Sequence, residues 1–172
     1  LLDDSGSNTI SGNNITANSL YYGVFIDNST NNNISGNMML YNGYGLYLRY
    51  STNNNIFENN ITANTWRGVL LDGTDNNRFF HNNFLGNPTQ VYYFGGGIDI
   101  WDNGYPSGGN YWSDYTTADL YSGPYQNITG SDGIGDTPYI IDGNNVDHYP
   151  LMNPWGSGTP VANFIWSPSV PK

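Results

Sequence analysis

Segments of this chain repeat one another at spacings of 24, 22 and 23 residues, and no other property of the sequence restricts the fold as tightly. Setting Ile10, Ile34, Ile56 and Phe79 in register brings Asn13, Asn37, Asn59 and Asn82 into one column and Asn18, Asn42, Asn64 and Asn87 into another. A third column holds Ile15, Met39, Ile61 and Phe84. After a two-residue length adjustment Gly23, Gly45 and Gly68 align, followed by Val24, Leu46 and Val69, then Ile26, Leu48 and Leu71. Apolar residues alternate over only three to five positions per repeat, which is strand periodicity with one buried face. Strands so short are unstable alone, but coils stacked at the ~4.8 Å strand spacing pair each strand with its copies above and below. The predicted fold class is therefore all-β, a right-handed parallel β-helix with 22–24 residues per coil. A leucine-rich repeat has a similar period but needs a Leu-x-x-Leu-x-Leu spine that is missing here.

Composition agrees with short strands. Leu, Ile, Val and Phe make up only about 22% of the residues, while 28 Asn, 22 Gly and 27 aromatic residues supply turn formers and large rings. The Asn columns suit coil corners, where Asn tolerates left-handed backbone and its amide can bond the Asn one coil away. Asn13, Asn37, Asn59 and Asn82 are accordingly expected to form an inward ladder. Leu2 falls under Ile26, Asp3 under Asp27 and Asn8 under Asn32, so Leu1 lies in mid-coil and further coils are expected before it.

The period fades after about Asn87. Residues 1–94 read as coils, and 95–153 as the last coil with an aromatic and Gly-rich C-terminal cap whose hydroxyl and indole groups stay wet. Residues 154–160 read as a linker, and 161–172 alternate as a strand that then stops.

A formal charge of −10, from 4 Lys plus Arg against 14 Asp plus Glu, leaves no phosphate-neutralising surface, so nucleic acid is not an expected partner. No apolar run approaches the roughly 20 residues of a membrane span, and no membrane insertion by this segment is expected. The absence of Cys removes disulfides and thiolate chemistry.

The repeated NNIxxNNI pattern, as in Asn54–Ile61, resembles the NosD-like β-helix family of surface and periplasmic proteins. The stretches Gly108–Tyr115 (GGNYWSDY) and Asp132–Met152 resemble the closing segment common in its archaeal members. Pro160–Pro168 is similar to the first strand of a polycystic-kidney-disease-type immunoglobulin-like domain. Together these imply a piece of a larger extracellular or cell-surface protein, with the other modules of the same polypeptide as partners. The family's named member serves copper assembly. Soft or imidazole ligands for copper are limited here to Met38, Met39, Met152, His81 and His148, and Met39 sits in an apolar column, so copper is not expected. The resemblance also implies calcium at Asp132, the Ile134 carbonyl and Asp136, weakly held because the upstream partner positions are Ile128 and Gly130. The alternative is a turn built from Asp and Gly.

Other candidate residues come from the repeat itself. Tyr22, Tyr44 and Arg67 align, with Trp66 beside them, and form either a sugar-stacking surface or a ring ladder that stabilises the coils. Arg49 aligns with Asp3, Asp27 and Asp72 as a charge strip. Glycosylation sequons occur at Asn14, Asn28, Asn33, Asn60 and Asn127. Glu58 is the only Glu and nothing selects a catalytic pair, so no catalytic residue is assigned and no enzyme is expected. The function expected is a structural or adhesive extracellular module. The alternatives are a carbohydrate-binding or carbohydrate-processing module, and a filament subunit whose copies stack end to end in a surface layer.

Overall fold

A computed structural model describes residues 1–95 and 97–157. The strand expected over 161–172, like residues 158–160, lies outside these described residues. Each coil contributes three strands. The first has β1 (Leu2–Asp3), β2 (Thr9–Ser11) and β3 (Asn14–Thr16), and the second β4 (Tyr22–Asp27), β5 (Asn33–Ser35) and β6 (Met38–Leu40). The third has β7 (Tyr44–Arg49), β8 (Asn55–Phe57) and β9 (Asn60–Thr62), and the fourth β10 (Arg67–Asp72), β11 (Arg78–Phe80) and β12 (Asn83–Leu85). A fifth, incomplete coil adds β13 (Val91–Phe94) and β14 (Tyr111–Trp112), with Ile100 bridging to Arg78 between them.

Stacking produces three parallel sheets, β1-β4-β7-β10-β13, β2-β5-β8-β11 and β3-β6-β9-β12-β14. The chain is an all-β solenoid, as its period predicts. Register follows the sequence columns: Ile10 pairs Ile34, Ile34 pairs Ile56 and Ile56 pairs Phe79. The inward side chains, among them Ile26, Ile34, Met39, Leu48, Ile61 and Phe84, are fully buried in one continuous core. The Gly column has a steric origin. A Cβ on Gly23, Gly45 or Gly68 would stand 2.6–2.7 Å from a carbonyl oxygen of the next coil.

Three side-chain ladders run through the corners. Each Asn carboxamide oxygen accepts the backbone N–H and the Nδ2 of the Asn one coil earlier. At Asn59, Oδ1 accepts from Asn37 N and Nδ2, both at 3.0 Å, while Nδ2 donates to Asn82 Oδ1 at 3.0 Å, Ile34 O at 2.8 Å and Phe57 O at 3.0 Å. The left-handed conformation expected of these Asn residues belongs instead to the residue before each: Gly12, Gly36, Glu58 and His81 precede the ladder of Asn13, Asn37, Asn59 and Asn82. One left-handed residue turns the chain at the corner, and the Asn that follows it is thereby aimed inward.

Beyond the coils, β15 (Tyr121–Ser122) pairs with β16 (Ile128–Thr129) and β17 (Tyr139–Ile140) with β18 (Val146–Asp147) as two antiparallel hairpins. Aromatic rings continue the core upward. Trp101 stacks on Phe79 at 4.2 Å, Trp112 on Phe84 at 4.3 Å and Tyr139 on Trp112 at 4.2 Å between ring centroids. The two indoles are not wet, as composition suggested, but fully buried. Their N–H groups are satisfied inside, Trp101 Nε1 by Tyr93 Oη at 3.2 Å and Trp112 Nε1 by Asp147 Oδ2 at 2.9 Å.

Candidate functional site

The outward face of the first sheet carries the rings singled out in the sequence. Register sets Tyr22 beside Tyr44 and Tyr44 beside Arg67, and Phe25 beside Tyr47. The Phe25 and Tyr47 rings stack at 4.8 Å and 13°, and Tyr22 packs at 5.0–5.5 Å from Phe25, Tyr44 and Tyr47. Trp66 meets Tyr44 edge-on, and the Arg67 guanidinium lies 4.1 Å from the Tyr92 centroid and 6.0 Å from that of Tyr44. Tyr22, Tyr44, Trp66 and Arg67 are thus brought together in tilted and edge-on contacts, with Phe25 and Tyr47 stacked face to face and Tyr22 and Trp66 still exposed.

The charge strip forms beside the rings. Asp3 pairs Asp27, Asp27 pairs Arg49 and Arg49 pairs Asp72 along the ladder. Arg49 Nε donates to Asp27 Oδ1 at 2.8 Å and Nη2 to Oδ2, and this bond holds the Asp27 carboxyl below the usual carboxylate range. Tyr47 Oη donates to Asp72 Oδ2 at 3.2 Å, and burial, aided by that carboxylate, pushes the phenol up to about 12.

Residues 119–136 bring three carboxylates to neighbouring turns. Asp119 accepts from Asp132 N at 3.1 Å and Gly133 N at 2.9 Å. Asp132 accepts from Ile134 N at 3.1 Å through Oδ1, and from Gly123 N and Gln126 Nε2 at 3.3 Å through Oδ2. Asp136 accepts from Leu120 N at 2.9 Å and Tyr121 N at 3.0 Å. Ile134 itself is buried and bridges to Leu151. Among the described residues no group of three or more His, Cys, Asp or Glu is placed to hold a metal ion.

The soft and imidazole donors are dispersed. Met39 is fully buried in the core, whereas Met38 is exposed on β6. The His81 ring lies 3.4 Å from Trp155, parallel to within 4°, and its Nε2 faces the Ser107 carbonyl at 2.9 Å. A nitrogen facing a carbonyl oxygen donates a proton there, which leaves the lone pair of the neutral ring on Nδ1. Burial also lowers the His81 pKa. His148 sits in the cap with Nδ1 3.0 Å from Asp102 Oδ2. Trp155, within the stretch expected to be a linker, is tied to the solenoid: its N–H donates to Asn83 Oδ1 at 2.7 Å and its carbonyl accepts from Asn83 Nδ2 at 3.1 Å.

The acids that do most in this structure are ones the sequence did not single out. Asn8, Asn32, Asn54 and Asn77 form a ladder that ends on Asp99, whose Oδ1 accepts from Asn77 N at 2.8 Å and Nδ2 at 3.0 Å. Its Oδ2 accepts from Thr74 Oγ1 and Tyr93 Oη, both at 2.9 Å. The ladder through Asn59 and Asn82 gains Asn110 as a further rung and ends on Asp147. Asp147 Oδ2 accepts from Asn110 N at 2.7 Å and Trp112 Nε1 at 2.9 Å, and Oδ1 from Tyr149 N at 3.1 Å. In these two ladders an aspartate supplies the acceptor for the last amide below it, and Asn145 Oδ1 in turn accepts from Asp99 N at 2.9 Å. The third ladder closes differently, on Asn87, whose Nδ2 donates to Gln90 Oε1 at 2.9 Å and Ile61 O at 2.8 Å. Burial pushes Asp147 up to about 7 against the pull of these N–H donors, and it raises Asp99 as well. A Cβ on Gly109 would stand 1.9 Å from Asp147 Oδ1, so glycine there makes room for the carboxylate. Parts of the two closing-segment stretches, GGNYW and VDHY, therefore meet at one buried acid. A hydroxyl ladder was also missed, in which Ser5 N and Ser29 N donate to Ser29 Oγ and Ser51 Oγ at 3.0 and 3.1 Å. A column of small hydroxyls at Ser5, Ser29, Ser51 and Thr74 was its available signal.

In comparison with known proteins, residues 1–117 match the family described as "Periplasmic copper-binding protein (NosD)". No curated protein and no solved structure matches the chain. The matched residues run from the first coil through β14, about two thirds of the sequence, and contain all three Asn ladders. By that match and by its stacked parallel coils, the chain belongs to the NosD family.

Proposed function

We propose that this chain is a non-enzymatic, extracytoplasmic scaffold module. The observation that carries the reading is where the reactive side chains go. Ladder Asn, buried Asp and stacked rings are engaged with one another, and among the described residues no group of three or more His, Cys, Asp or Glu is placed to hold a metal ion. The periplasmic description of the family supports an extracytoplasmic place, and among the described residues no helix is long and apolar enough to cross a membrane. Assays for reducing ends and unsaturated products on pectic, alginate and chitin substrates are expected to stay at background. Turnover abolished by a single Asp substitution would overturn the reading.

The copper chemistry in the family's description does not suit the donors here. A thioether inside the core, an imidazole bonded to a carbonyl and a second imidazole on the cap make no common ligand set. The rings of the outer strip support a stabilising ladder over a sugar platform, because each of Tyr22, Tyr44, Tyr47 and Trp66 packs against a neighbouring ring of the strip. End-to-end stacking of copies finds no support at the C-terminal end, where Trp101, Trp112 and Tyr139 cover the last coil.

Asp132 and Asp136 act on this reading as staples that hold turns by their N–H groups, and a calcium ion would have to compete with those bonds. Thermal unfolding in ~10 mM calcium, above the range typical of weak extracellular sites, is expected to match unfolding in chelator. A midpoint rise in calcium that vanishes in Asp132→Ala would restore the metal site.

A further inference from the structure

The geometry points to Asn127 as an acceptor for an N-linked glycan whose first sugar packs on Tyr125. The inference rests on the extracytoplasmic reading, since the transferring enzymes work outside the cytoplasm. Three of the five sequons have their carboxamides engaged: Asn28 donates to Asp4, Asn33 accepts from Asn55 Nδ2 at 3.1 Å, and Asn60 accepts from Asn83 Nδ2 at 2.6 Å. Asn14 is exposed but lies within β3, the edge strand of a five-stranded sheet, with all three residues of its sequon paired to β6. An enzyme must draw the acceptor segment into its own cleft, and a strand held in such a sheet resists that. Asn127 is exposed in the connection of the two-stranded β15–β16 hairpin, directly before β16, where only one short partner strand holds the segment.

The surroundings of Asn127 supply the second argument. Tyr125 is 83% exposed, and Leu120 and Ile128, in and beside the same hairpin, are 63% and 60% exposed. Large apolar side chains left this open on one short segment are ones a covering group would shield from water. Tyr125 lies two residues before Asn127 across a tight turn closed by Gln126 N donating to Gly123 O at 3.0 Å, with Gln126 at φ +46°. A sugar on Asn127 would set its C–H face within reach of that ring. In the transfer, Asn127 Nδ2 attacks the anomeric carbon of a lipid-phosphate-linked oligosaccharide. The C1–O bond breaks, the lipid phosphate leaves with the bonding electrons, and the amide proton passes to a base of the oligosaccharyltransferase.

The test is to secrete the full chain from yeast behind a cleavable signal peptide, with a known acceptor sequon in a C-terminal tag. Entry into the glycosylating compartment then does not depend on where the native protein resides. Amidase release in heavy-oxygen water converts each occupied Asn to labelled Asp for peptide mass spectrometry. Label is expected at Asn127 and is expected to disappear in Thr129→Ala. The glycosylated protein should melt about 2–4 °C above the released one, the shift that a contact of aromatic-pair strength gives a chain of this size, and Tyr125→Ala should erase the difference. A labelled tag beside an unlabelled Asn127 would overturn the inference and leave the extracytoplasmic reading standing. A melting difference unchanged by Tyr125→Ala would overturn the packing on that ring. Fractionation of the native cells tests the extracytoplasmic reading separately.

Discussion

Replacing Asn59 with leucine is expected to lower the thermal unfolding midpoint by about 10 °C or more. The variant removes an acceptor shared by Asn37 N and Nδ2, and a donor that serves Asn82 Oδ1, Ile34 O and Phe57 O. Asn37 and Asn59 are buried, so water cannot replace these partners. A buried polar group left unpaired costs about 1–3 kcal/mol, and at least two are created here. Each kcal/mol moves the midpoint of a chain this size by roughly 2–4 °C. The product runs from roughly 4 to 24 °C, and because leucine returns some apolar contact the estimate is set below its middle. Asn14→Ala, on an outward position of β3, serves as the comparison and should shift the midpoint little. Equal midpoints for wild type and Asn59→Leu, followed by circular dichroism, would remove the ladder as a source of stability. Asn59→Asp should also destabilise, because a mid-ladder rung needs its donor where the final rung does not.

The second large effect is a loss of stability as pH rises from about 4 to 7. Asp147 is fully buried, and its pKa of about 7 lies well above the ordinary carboxylate value of about 3.9 expected when the chain unfolds. Between those values the folded state binds more protons than the unfolded one, so unfolding becomes easier with each unit of pH. The contribution is fully present below pH ~4 and lost once pH passes ~7. At about 1.4 kcal/mol per unit the whole window amounts to on the order of 4 kcal/mol. Asp99, raised by the same cause, acts in the same direction. Asp27 is shifted the other way, and its contribution disappears only as pH falls below the ordinary carboxylate range. The midpoint at pH 5 should therefore exceed that at pH 8, and the gap should narrow in Asp147→Asn. That variant should also be less stable at every pH, since its amide would face the N–H groups of Asn110 and Trp112. A gap of the same size in both proteins would assign the pH dependence to other groups.

The coils were legible because a parallel solenoid maps sequence spacing directly onto spatial contact. Residues 22–24 positions apart pair across the ladder, as Ile10, Ile34 and Ile56 do, so one period in the sequence predicted sheets, core and Asn columns together. The same logic places Arg49 between Asp27 and Asp72, and Tyr22 beside Tyr44. It could not say whether those rings face solvent or one another, because side-chain rotation leaves the period unchanged. Nor did it find the left-handed residue before each Asn, since Gly, Glu and His all occupy that column.

The cap follows no period, and there the tertiary structure decided. Asp147 reaches Asn110 and Trp112 across 37 and 35 positions, and Asn83 holds Trp155 across 72. The sequence determined that the coils stack and where they turn, because that information repeats in every coil. How the stack ends depends on single contacts between distant segments, and only folding brings Asp99 and Asp147 onto the last amides of two asparagine ladders.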